Sequence, residues 1–142
     1  MGAKEYLRQI YKLDILISNK MKTLTSLREQ TVSVTATIKD VNVMSTSRND
    51  RLEETICKIL DLEKTITDDI GKLAAVKQDV ISTIDRVGDA SMIDLLYKKY
   101  VHHKDWTAIA DEMCFSPQNV FRLHGKALLK VQEVLDGEKE SE

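Results

Sequence analysis

The chain is 142 residues long, which suits one domain, or one small domain with an extension. Lys and Arg number 21 against 23 Asp and Glu, the formal net charge is −2, and 42% of residues are apolar, which excludes a disordered polyelectrolyte. No apolar run approaches the ~18 residues that a membrane span needs, and the N-terminus leads into no secretory apolar segment. Cys57 and Cys114 stand far apart and form no CxxC pair. The expectation is a cytoplasmic chain without disulfides, cofactor or membrane contact.

A single proline, Pro117, and five glycines predict long helices and an all-α fold. Ile10, Leu13, Ile17, Leu24, Leu27, Val34, Ile38 and Val41 keep a 3-4 alternation when Lys20 and Thr31 fill two seats. That is a heptad seam. Tyr6 extends it backwards, and Lys20 is expected to reach out to solvent beside Met21. The stretch Asn42 to Asp50 is polar and short-chained and predicts a loop, with Asn49 or Asp50 capping a second helix. In that helix Leu52, Ile56, Ile59, Ile66, Ile70, Leu73, Val80, Ile84 and Val87 repeat the pattern, with Glu63 and Lys77 in the missing seats.

Two matched helical series predict a long N-terminal antiparallel helical hairpin, coiled-coil-like, over residues 1–87. Such a pair cannot bury both stripes alone. It requires either a homodimer through the N-terminal helices or packing against the C-terminal helices. Its 14 basic and 13 acidic residues make no electrostatic platform. Aspartate in place of Ile66 or Ile70 is expected to dissociate the assembly, because the charge enters an apolar seam.

Gly88-Asp89 marks a boundary, and residues 88–135 predict three shorter helices. Ser91 is a candidate cap for the first, with Met92, Leu95, Leu96 and Tyr100 on one face. A polar connection, residues 101–105, leads to Asp105 as cap of the second, whose inner face carries Trp106, Ile109, Ala110 and Met113. Ser116-Pro117 is the sharpest local signal. Serine caps, and proline at the first helical position loses no hydrogen bond. The third helix, 117–131, turns Val120, Leu123 or His124, Ala127 and Val131 inward and Gln118, Asn119, Arg122, Gly125 and Lys126 outward. Residues 136–142 form an acidic tail, expected to be flexible.

A short helix, a tight turn and a second helix showing Gln, Asn, Arg and Lys is helix-turn-helix chemistry. Gln and Asn can pair with adenine, and Arg or Lys with guanine, in the major groove. Between Ser116 and Gln132 there are three basic residues and no acidic one. The candidate DNA contacts are Ser116, Gln118, Asn119, Phe121, Arg122, Lys126 and Lys130. Ser116 also caps, and Phe121 either packs or touches a thymine methyl. His102-His103 with Asp105 lacks a third ligand on a shared face and is set aside as a metal site. His124 reads as a core histidine, and both cysteines as small hydrophobes. There is no phosphate loop, HExxH motif or nucleophile elbow, so the reading is non-enzymatic.

Leu95-Leu96-Tyr97-Lys98-Lys99-Tyr100, Trp106-Thr107-Ala108-Ile109-Ala110, Ser116-Pro117-Gln118-Asn119-Val120, Arg122 and Ala127 together resemble the region-4 domain of primary-type RNA polymerase sigma factors. The whole chain resembles small phage and prophage transcription regulators that join such a helix-turn-helix domain to an N-terminal helical extension. The resemblance covers about 88–135. It implies recognition of double-stranded DNA and adds RNA polymerase as a further partner. The residues depart from the family at His124, where an apolar residue is usual, and at Gly125 within the recognition helix. The alternative is a protein-interaction or assembly module, such as an RNA polymerase-binding adaptor or a phage packaging-type scaffold, which the net charge of −3 from residue 88 onward favours.

Overall fold

The computed structural model describes residues 2–40 and 46–140, and the side chains of 2–33 and 49–138. Among these residues the fold is all-helical, without strands. The helices are α1 (Ala3–Leu7), α2 (Gln9–Asp40), α3 (Thr46–Asp85), α4 (Ala90–Leu96), α5 (Trp106–Met113) and α6 (Pro117–Glu140), with a π-helical turn, Tyr97–Val101, after α4.

The chain divides into two compact units, Met1–Leu13 with Leu73–Glu142, and Asp14–Lys72. This division does not coincide with the expected boundary at 87/88. Both ends of the heptad series leave the seam and enter the C-terminal core. Ala3, Tyr6, Leu7, Ile10, Val80 and Ile84 are buried with Leu96, Tyr100, Ala127 and Val131. Burial here is worth roughly 1.5–3 kcal/mol per large side chain, more than a two-helix seam offers. A second core joins α4, α5 and α6 through Leu95, Ile109, Ala110 and Val120, flanked by Trp106, Met113, Phe115 and Leu123. The Tyr6 hydroxyl donates to Asp79 at 2.5 Å and lies 2.9 Å from buried Thr83. The Ala3 amide donates to Gln132 at 2.9 Å.

In the unit Asp14–Lys72, Lys20 meets Asp69 at 2.5 Å and Arg28 meets Glu63 at 2.6 Å, pairing α2 and α3 in opposite order. Lys20 does not reach out to solvent as expected, because Asp69, buried to 6% exposure, draws its ammonium inward. A single buried charge pair of this kind ties the alignment of two helices, since a slip would strand the carboxylate. The seam register shifts with it. Thr55 and Asp69 are more enclosed than Ile56 and Ile70, the residues the 3-4 count selected. The seats at Val34, Ile38 and Val41 lie outside the described side chains. Ile56, Leu60 and Ile70 are instead exposed on α3, at 41, 58 and 50%, with Glu63 and Thr67 between Leu60 and Ile70.

Three local expectations also change. Residues Thr46 to Asp50 are helical rather than loop, so Asn49 and Asp50 are not caps; 42–45 lie outside the described residues. Asp89, not Ser91, caps α4, accepting from the Met92 amide at 3.0 Å. The segment expected to be a flexible tail is helical to Glu140, where Leu135 packs on the core and Arg86 pairs with Glu138.

Ile66 is 6% exposed and Ile70 is 50% exposed, so the two aspartate substitutions separate. Ile66→Asp will cost roughly 3 kcal/mol or more in unfolding free energy, and Ile70→Asp less than about 1 kcal/mol. Calorimetry of both variants reads this, and equal losses would reject the register.

Candidate nucleic-acid interface

Asp105 begins α5 by accepting from the Ala108 amide at 2.8 Å. The helix ends at Cys114, whose φ of 58° lies in the left-handed region. There the amides of Cys114 and Phe115 reach back to the carbonyls of Asp111 and Ala110, satisfying the helix end. A non-glycine residue in this conformation costs about 1 kcal/mol, so the close of the turn is held by its neighbours. Phe115 packs into the second core. Ser116 Oγ then accepts from the Asn119 amide at 3.2 Å, and Pro117 opens α6. Both sequence signals for this helix start are in place.

Val120, Ala127 and Val131 are fully buried along α6 and His124 nearly so. Gln118, Asn119, Arg122, Gly125, Lys126 and Lys130 are exposed. At 100° per residue, Gln118, Arg122, Gly125 and Leu129 share one face, with Asn119 and Lys126 beside it. Arg122 and Lys126 have no carboxylate within ion-pair distance among the described residues, whereas Lys130 approaches Glu133 at 3.6 Å. Phe121 stands at the edge. It is 52% exposed, but its ring centroid is 5.2 Å from that of Trp106. Ser116 is exposed at the same helix start, where Pro117 has no amide and Asn119 and Val120 already donate to Ser116, so the Gln118 amide and the helix dipole are what favour an anion.

Sequence periodicity gives no sign of the π-helical turn, yet it sets the neighbouring surface. Its wider bonding, His102 amide to Tyr97 carbonyl, changes the rotation of the side chains beyond it. Tyr100 enters the core and Lys99 lies over the Trp106 ring at 4.5 Å from its centroid. Lys98 is taken up by Asp94 at 2.9 Å and Lys104 by Glu112 at 2.6 Å. His102 and His103 are exposed in the connection, and His103 lies against Tyr11 at 5.6 Å. Among the described residues no cluster of His, Cys, Asp and Glu has the arrangement of a metal site. No described helix is long and apolar enough to cross a membrane.

His124 is buried with a partner. The Tyr100 hydroxyl is 2.6 Å from His124 Nε2. The imidazole also stands edge-on to Trp106, centroids 4.7 Å apart. Burial pushes the histidine down to about 4, with Lys4 and Lys99 adding repulsion. Burial raises the Tyr100 phenol to about 12. At neutral pH the phenol therefore donates and a neutral imidazole accepts.

The chain matches no family model, no curated protein and no solved structure.

The histidine makes stability pH-dependent with a defined sign. Unfolded His124 takes a proton below about 6.5, while the folded imidazole stays neutral until about 4. Stability is thus lost as pH falls across that window, by about 3 kcal/mol at most, and no further below it. Urea unfolding at steps from pH 7 to 4 measures the loss. His124→Gln should flatten this part of the profile, and an unchanged slope in that variant would reject the assignment.

Proposed function

We propose that the protein binds double-stranded DNA in a sequence-dependent way, with α6 in the major groove, as a transcription regulator of the phage type. The observation that carries this reading is the exposed face of α6. Two unpaired cations, two carboxamides and a glycine lie side by side on a helix whose opposite face is sealed into two cores. The carboxamides of Gln118 and Asn119 match adenine, and the cations of Arg122 and Lys126 match guanine or phosphate. Gly125 lets the duplex approach the helix backbone closely. The Ser116 hydroxyl and the Gln118 amide suit a phosphate. Phe121, held against Trp106, presents a ring edge at the margin, and Lys130, shared with Glu133, contributes least. On this reading α5, the turn 114–116 and α6 form the helix-turn-helix of a sigma region-4-like domain, and RNA polymerase is a further partner.

The unit Asp14–Lys72 supplies association as an antiparallel hairpin. The exposed neighbours Ile56 and Leu60, one helical turn apart, support a homodimer, which would carry two recognition helices to paired half-sites. The same exposed pair also favours the second reading, a non-enzymatic interaction or assembly module, such as a polymerase-binding adaptor or packaging-type scaffold. The two readings part on DNA.

Selection from a random duplex library at low salt, run beside Arg122→Ala/Lys126→Ala, decides between them. The expected result is an enriched motif that the double variant loses, with helix content intact by circular dichroism. No enrichment by the folded, monodisperse parent protein would reject DNA reading and leave the assembly module.

A further inference from the structure

The N-terminal helix brings cations to the C-terminal helices. Lys4 and Arg8 join Tyr11, Lys99, Lys104 and Trp106 around an open cavity of about 430 Å³. Lys104 is neutralised by Glu112. Lys4, Arg8 and Lys99 have no carboxylate within ion-pair distance among the described residues. Asp105, also at the wall, has a carboxylate oxygen already engaged by the Ala108 amide. Unneutralised cations from α1 and from the π-helical turn thus face one space. Their field reaches the buried side chains behind it, since Lys4 and Lys99 push His124 down and Arg8 opposes the rise of Tyr100. Like charges gathered this way repel unless an anion lies among them.

Lys4 and Arg8 also border a second, shallower depression with Lys12, with Glu5, whose carboxylate offsets one of the three cations, and with Leu128, Leu129 and Gln132 of α6. Leu129 is 69% exposed and lies one turn beyond Gly125, on the face assigned to the duplex. The cations therefore follow two adjoining depressions that end at α6, rather than surrounding one closed pocket. A chain of phosphates fits that layout better than a single small anion.

We propose that Lys4, Arg8 and Lys99 form a backbone-binding surface that holds phosphodiesters of the duplex flanking the bases met by α6. The proposal rests on the DNA-binding reading and adds a separate, sequence-independent contact from a helix outside the helix-turn-helix. Side-chain to phosphate pairing there releases counterions, so its signature is a salt slope, not a motif.

The test titrates a labelled random-sequence duplex across a salt series by fluorescence anisotropy. It compares the parent protein, K4Q/R8Q/K99Q, the charge-retaining K4R/R8K/K99R, and R122A/K126A. K4Q/R8Q/K99Q should bind about ten-fold or more weakly, with a log–log salt slope smaller by roughly 2–3, and the charge-retaining variant should recover most of both. On a selected sequence the same triple variant should keep the parent's base preferences. Parent-like affinity and slope in K4Q/R8Q/K99Q would overturn the surface, even where R122A/K126A loses base preference. Loss of binding in the triple variant with R122A/K126A unaffected would uphold the surface and remove the recognition helix instead. Displacement of the duplex by inorganic phosphate at matched ionic strength would overturn it in favour of a free-phosphate site.

Discussion

The hydrogen bond between Tyr100 and His124 ties the π-helical turn to α6, and much else depends on it. A helix packed only by Val120, Ala127 and Val131 could roll by a fraction of a turn at little cost, because apolar contacts have no direction. The phenol-to-imidazole bond at 2.6 Å has a direction. It fixes the rotation of α6, and with it which residues face outward. It also seats His124 against Trp106, and Trp106 in turn carries Phe121 and Lys99. One buried polar contact therefore positions both the outward face of α6 and the cationic cavity. His124 is the residue that makes this possible.

The two units divide the work by chemistry. In Asp14–Lys72 the helices meet through a thin seam, whose alignment is set by Lys20 and Asp69, and leave Ile56, Leu60 and Ile70 uncovered. In the other unit the core is thicker, because segments distant in sequence converge on it. The cost of ordering those distant segments is loop-closure entropy, which grows slowly with length. That is why α1 and the end of α3 can be recruited to one core although Tyr6 and Asp79 stand 73 positions apart. Recruiting α1 has an electrostatic consequence as well. It delivers Lys4 and Arg8 to a region where Lys98 and Lys104 are already paired and Lys99 lies over Trp106.

Much of the local structure is legible in the sequence, and most of the tertiary structure is not. Ser116-Pro117 and Asp105 announce helix starts because capping depends only on neighbouring backbone amides. Ile109, Ala110, Val120, Ala127 and Val131 are legible as an inner face because helical periodicity alone selects them. The seam register failed at Ile56 and Ile70 because a 3-4 count treats every apolar residue as a seat. It could not see that the Asp69 carboxylate, paired with Lys20, would take the inner position. The caps at Asn49 and Asp50 failed because polar residues that suit loops also tolerate a helix that is held by packing further along. Of the candidate interface, the α6 face was readable residue by residue. Lys4, Arg8 and Lys99 were not. Their convergence depends on where α1 docks and on a π-helical turn, and neither leaves a periodic trace.

Contact between the exposed face of α6 and the DNA duplex is the claim on which the functional account stands. Backbone amide chemical-shift mapping of the folded protein against a short duplex at low salt tests it most directly. The account predicts that the largest shifts fall on residues 116–126, with a second group at residues 4–12 and around Lys99. Shifts confined to residues 14–72, or none at saturating duplex, would contradict it.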